Sequence, residues 1–200
     1  MGEIVEKLQA RYNSTNGFAA DFTQEIESAT LGEKVTSQGK VYFQKPGRMR
    51  WEFTSPDPQT VVSDGRFFWF YQPQQKQVLK TPLQQAFRSH TLIAFLTGVG
   101  RIDQEFTVSL VGQTEEGYLL HLIPREGEES LGGSLEVQVS TGTYDIVRVQ
   151  ITDPLGNLTR LHFSNMDHQA TLDGALFHFT VPQGVDVVEP LPAPASEKRR

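Results

Sequence analysis

Cysteine is absent from all 200 residues, which excludes disulfides, thiolate metal sites and cysteine nucleophiles together. It leaves the redox compartment open, because exported and cytosolic proteins alike can lack cysteine. A basic surplus is lacking too: 18 Lys+Arg against 24 Asp+Glu give a net charge of -6. Nucleic-acid binders neutralise phosphates with clustered cations, so DNA and RNA are not expected partners. No apolar run reaches the roughly 18 residues of a membrane-spanning helix, and no charged-then-apolar leader precedes the first amphipathic segment, so a soluble chain is expected. Catalytic signatures are missing as well: no Gly-x-x-x-x-Gly-Lys phosphate loop, no Gly-x-Ser-x-Gly elbow and no His-Glu-x-x-His helix. The histidines His90, His121, His162, His168 and His178 are scattered and read as solvent-facing rather than as a metal site. Glu126, Glu128 and Glu129 sit in a Gly-rich connection without the burial that raises a catalytic pKa. Neither an enzyme nor a cofactor or metal is expected.

What the chain has in excess is phenylalanine, 13 residues that dominate its aromatic content. Ile4, Val5, Leu8 and Tyr12 line one face of a helix running from Glu3 to about Asn13. After Gly17 the period changes to two, with Phe18, Ala20, Phe22 and Ile26 alternating against Asp21, Thr23, Glu25 and Glu27. Further strands are predicted at 35–44, 49–54, 60–63, 67–71, 106–111, 118–123, 135–140, 144–152, 158–165 and 177–181, about 11 in all. Asp64-Gly65 marks a tight hairpin. Between Thr81 and Gly100 two short helices interrupt the strands. Thr81 is expected as N-cap and Pro82 as first helical residue, with Leu83, Ala86 and Phe87 on one face. Leu92, Ile93, Phe95 and Leu96 repeat the pattern, with Gly98 and Gly100 as hinges. The pattern fits a mainly β fold: a long antiparallel sheet curled into a half or whole barrel, with one helix before it and a helical insertion in its middle. Residues 1–188 are expected to form a single domain and 189–200 a flexible tail rich in proline and charge.

The stretch from Val41 to Tyr71 holds most of the functional information. Alternation assigns Val41, Phe43, Met49, Trp51, Phe53, Phe67, Trp69 and Tyr71 to the inward face, and Arg48, Arg50 and Glu52 to the other. Two arrangements of so many large side chains remain open. The insertion helices either plug the barrel as an ordinary core, or cover a cavity that opens for an apolar ligand.

The run KPGRMRWEF, the Ser63-Asp64-Gly65 hairpin, the Trp69-Phe70-Tyr71 that follows with Gln77-Val78, and the Phe22-Thr23-Gln24 triplet have a combined likeness. With the closing Phe177-x-Phe179 and Val181-Pro182-Gln183-Gly184-Val185, they resemble the LolA family of periplasmic outer-membrane lipoprotein carriers. The resemblance implies an incomplete, unclosed antiparallel barrel lidded by helices and exported to the periplasm, with the export signal removed. It further implies a monomeric chaperone that takes acylated lipoproteins from an inner-membrane ABC release complex and hands them to an outer-membrane receptor. The expected acyl-chain lining is Phe22, Phe43, Met49, Trp51, Phe53, Trp69 and Tyr71. The expected lid is Leu83, Phe87, Leu92, Phe95 and Leu96, tethered by Lys45 where many members carry Arg. Met49 stands where an aromatic is common. A related carrier, sensor or receptor for another apolar ligand is the alternative.

Overall fold

The computed structural model describes residues 2–87, 101–125 and 134–189. Helix α1 (Gly2–Ser14) is followed by strands β1 (Gly17–Glu27), β2 (Lys34–Gln44), β3 (Arg48–Ser55), β4 (Gln59–Asp64), β5 (Phe67–Gln72) and β6 (Gln77–Pro82). Short helices α2 (Leu83–Phe87) and α3 (Ile102–Glu105) precede β7 (Phe106–Thr114), β8 (Gly117–Pro124), β9 (Ser134–Val139), β10 (Ile146–Thr152) and β11 (Leu158–Asp167). A 3₁₀ turn (Gly174–Phe177) and the short β12 (Asp186–Val188) close the described chain.

All twelve strands join one sheet in the order β12-β6-β5-β4-β3-β2-β1-β11-β10-β9-β8-β7. Two meanders, β1 to β6 and β7 to β11, meet where β1 pairs antiparallel with β11. The sheet does not close on itself: β7 and β12 are its two ends. The expected unclosed β architecture is therefore present, with two revisions to its strands. Gln77–Pro82 forms a strand, so Thr81 and Pro82 end β6 and the helix begins one residue later, at Leu83. Residues 177–181 form no strand. There Phe177 and Phe179 supply side-chain packing without a backbone ladder, and the chain pairs only at β12, parallel to β6.

The core sits between the inner face of the sheet and α1. Leu8 and Tyr12 of α1 are buried, and Ile4 and Val5 pack beside them, as their helical spacing requires. Burying two such side chains contributes on the order of 2 kcal/mol each. Polar contacts fix the helix in place. Tyr12 Oη accepts from the Ile146 amide at 3.2 Å, and Gln9 Oε1 accepts from the Ile102 amide at 3.1 Å. Arg11 Nε donates to Asp145 Oδ1 at 2.8 Å. His168 Nε2 lies 2.9 Å from the same oxygen, at ion-pair distance but off the line of a well-aligned hydrogen bond. Burial alone would raise the Asp145 pKa, but the contacts from His168, Arg11 and Thr143 outweigh it and hold the carboxyl well below the usual range. His168 is thus tucked beneath α1 rather than facing solvent, whereas His162 and His178 are exposed as expected. Among the described residues no helix is long and apolar enough to cross a membrane.

Candidate functional site

Paired residues in a ladder share a face, so the register decides which aromatics meet. On the inner face Phe18 pairs with Phe43 and Phe43 with Met49; one step along, Ala20 pairs with Val41 and Val41 with Trp51. Phe22 and Phe53 both lie opposite Gly39. A Cβ on Gly39 would come within 1.9 Å of the Glu52 carbonyl, and with no side chain between them the two rings meet at 4.9 Å. Phe22 also packs edge-on against Trp51 at 4.8 Å, and Trp51 lies 5.8 Å from Phe43 and 6.0 Å from Phe163 of β11. These contacts make one continuous aromatic surface.

Five of the seven expected lining residues are on it: Phe22, Phe43, Met49, Trp51 and Phe53. Phe22, Phe43 and Met49 are at most 2% exposed and Trp51 is 6% exposed, while Phe53 is half-buried. The surface is therefore largely shielded from solvent. A cavity of about 540 Å³ lies on the outer face, between Thr23, Glu25, Glu136, Arg148 and Arg160.

Trp69 and Tyr71 are not brought to this surface, contrary to the face assignment made from alternation. Val61 pairs with Phe70 and Ser63 with Phe68, which turns Phe68 and Phe70 inward and Phe67, Trp69 and Tyr71 outward. Five successive aromatics at 67–71 carry no phase of their own, so the hairpin sets it. Asp64 Oδ1 accepts from the Arg66 and Phe67 amides at 2.7 and 2.8 Å and fixes a four-residue connection from Ser63 to Phe68. On the outer face Trp69 and Tyr71 pack on Phe179 at 5.5 and 5.7 Å, and Lys80 lies over the Phe67 ring at 4.5 Å. The C-terminal segment covers this second cluster. Phe163 and the Phe68/Phe70 pair escaped the sequence reading, although Phe163 alternates with Leu161.

Lys45 precedes the turn between β2 and β3, and its ammonium donates to the Tyr12 carbonyl in the last turn of α1. A cation suits the negative end of a helix dipole, and partial burial pushes the Lys45 pKa below its ordinary value. Its described partner is therefore α1. Leu83 is buried at the start of α2, and Phe87 ends that helix. Leu92, Phe95 and Leu96, with His90, Gly98, Gly100, Glu126, Glu128, Glu129 and residues 190–200, lie outside the described residues. Among the described residues, no His, Asp and Glu side chains group in a way that would hold a metal ion.

The sequence matches the family model of the outer membrane lipoprotein carrier protein LolA over residues 13–180. An outer-membrane lipoprotein carrier protein of Methylococcus capsulatus is 34% identical over 183 residues, spanning 92% of this chain and 86% of that one. Among solved structures, an uncharacterized conserved protein from Thermus thermophilus superposes with a TM-score of 0.58 at 15% identity, covering 94% of this chain and 98% of that one. A LolA superfamily protein from Nitrosomonas europaea superposes with a TM-score of 0.52 at 13% identity, covering 89% and 97%. The two structural likenesses speak for the fold, and the sequence match across most of the chain decides the family: this chain belongs to the outer membrane lipoprotein carrier protein LolA family.

Proposed function

We propose that the protein is a periplasmic, non-enzymatic carrier that shelters the acyl chains of lipoproteins against its aromatic inner face. In this reading it receives them from an inner-membrane ABC release complex and delivers them to an outer-membrane receptor. The observation that carries the reading is a continuous aromatic surface, Phe22, Phe43, Trp51 and Phe53, with Met49 and Phe68 in the same core, inside a sheet whose two end strands do not pair with each other. Removing acyl chain from water is worth about 0.8 kcal/mol per CH₂, so a multiply acylated protein needs such a shelter to cross an aqueous space. A closed barrel would have to break a ladder to admit the chain, whereas an unclosed sheet can spread. Because the rings pack against one another, loading exchanges ring–ring contacts for ring–acyl contacts. That exchange keeps affinity moderate and lets cargo be handed on. Residues 1–188 act as one carrier domain, with α2 (Leu83–Phe87) at its cover.

The test is binding of an apolar fluorophore to the full chain, followed by displacement with a diacylated peptide. One fluorophore per molecule, released by the acylated peptide and not by its unacylated form, is the expected result. An intact fold that binds neither would leave the interior an ordinary core.

A further inference from the structure

Among the described residues, four turns close strands at the end of the sheet away from the C-terminus of α1: residues 28–33 after β1, 56–58 after β3, 73–76 after β5 and 153–157 after β10. They divide into neighbouring pairs of opposite character. The turns after β3 and β5 are polar and joined by Gln74 Nε2 donating to Asp57 Oδ1 at 2.7 Å. The turns after β1 and β10 each raise one leucine. Leu31 and Leu155 are 70% and 77% exposed, the highest values for large apolar side chains among the described residues.

Both leucines are presented by ordered turns. The Gly32 amide donates to the Ser28 carbonyl at 2.8 Å and the Leu31 amide to Ser28 Oγ at 3.3 Å. The Asp153 carboxylate accepts from the Leu155 and Asn157 amides, each at 2.9 Å, and from Asn157 Nδ2 at 2.8 Å. A further bond, from the Ala29 amide to Asn157 Oδ1 at 3.0 Å, ties one turn to the other. Behind them Ile26 and Val35, cross-strand partners at the inner rim, are 44% and 50% exposed. Leu161 and Ile151 continue this apolar surface into the core.

We propose that these paired turns are a membrane-contact tip, seating on the interface of a zwitterionic bilayer with Leu31 and Leu155 in its apolar layer. Three observations select that occupant. Two protruding leucines with a narrow rim behind them fall far short of the roughly 800 Å² per partner of a standard protein interface, while a lipid interface accepts isolated apolar side chains wherever they reach it. Neither turn contains Lys or Arg, and the cations behind them are paired: Lys34 with Glu25 at 2.6 Å and Arg160 with Glu27 at 2.9 Å. Nothing at the tip therefore draws anionic lipid. Finally, the tip adjoins the inner face, where Leu161 packs on the core beside Gln24 one rung inward of Ile26 and Val35, so a tip seated on lipid brings the carrier's inner face to the bilayer surface where cargo is exchanged. That last step alone rests on the carrier reading.

The lack of native cysteine allows single labels at Leu31→Cys, Leu155→Cys and, as the polar-turn control, Gln74→Cys, each carrying nitrobenzoxadiazole and mixed with phosphatidylcholine vesicles. Labels at 31 and 155 should brighten several-fold and shift blue equally at low and high salt, while the label at 74 stays unchanged. In unlabelled protein, Leu31→Ser with Leu155→Ser should cut co-flotation with the vesicles by about tenfold, since each leucine then buries no apolar surface. The double variant should still bind the apolar fluorophore, which separates failure of the tip from failure of the interior. An equal response at all three positions, none at 31 and 155, or one that needs anionic lipid would overturn the proposal. So would brightening without vesicles as concentration rises, which would assign the tip to a second copy of the chain.

Discussion

The two meanders of the sheet face the same interior with different side chains. From β1 to β5 the inner face carries Phe18, Phe22, Phe43, Met49, Trp51, Phe53 and Phe68 beside the smaller Ala20, Val41 and Val61; from β8 to β10 it carries Leu120, Leu122, Leu135, Val137, Val139, Ile146 and Val149, with the rings Phe106 and Phe163 on the flanking strands β7 and β11. Branched aliphatic side chains interdigitate and leave little to exchange. Rings offer broad flat surfaces that an acyl chain can replace contact for contact. The polar anchors of α1 divide unevenly as well. Arg11 to Asp145, Tyr12 to Ile146 and Lys7 over the Tyr144 ring all reach the aliphatic half, and Lys45 reaches back from the aromatic half. One half is thus built as a scaffold with α1 fixed to it, and the other as the surface that can change partners.

That division is open to direct attack. Leu120→Ala, in the scaffold half, should lower stability by about 3 kcal/mol in denaturant unfolding, because the cavity it leaves cannot collapse. Acyl-peptide affinity of the folded fraction should stay within about twofold, since a distant scaffold residue adds independently. Asp145→Asn should cost about 2 kcal/mol at neutral pH by leaving Arg11 and His168 without their carboxylate. The folded Asp145 pKa lies below its unfolded value, so this stabilisation is present above about pH 4 and lost as pH falls further. Unfolding curves of wild type and Asp145→Asn should therefore converge in acid.

How far the sequence reached follows the same physics. The helix at 2–14, the alternating strands and the Asp64-Gly65 hairpin were legible because period and turn chemistry are local. The direction of the 67–71 run was not, since every position there is aromatic and only pairing with β4 assigns the faces. The outer cluster under Phe179 was invisible for a related reason. Phe177-x-Phe179 alternates like a strand, but the segment buries its rings without a ladder. The Arg11, Asp145 and His168 cluster joins residues more than 130 positions apart in the sequence, and nothing local announces it.

Smaller effects sharpen the comparison on the aromatic side. Phe53→Ser, at a half-buried ring, should reduce acyl-peptide affinity about tenfold, the equivalent of about 1.4 kcal/mol, by replacing apolar contact with a hydroxyl. Its stability loss should be smaller than that of Leu120→Ala. Lys45→Met should cost about 1 kcal/mol, the scale of one hydrogen bond to the α1 carbonyl, and leave the sheet intact by circular dichroism. A loss as large as that of Leu120→Ala at either site would erase the distinction between scaffold and surface.

The chain carries two tryptophans, and the sheet separates them: Trp51 faces the aromatic interior and Trp69 the outer cluster beneath Phe179. Loading Trp69→Phe and Trp51→Phe proteins with a peptide bearing brominated acyl chains asks directly which surface holds the lipid. The account predicts strong quenching of Trp51 and none of Trp69. Quenching of Trp69 with Trp51 untouched would contradict it.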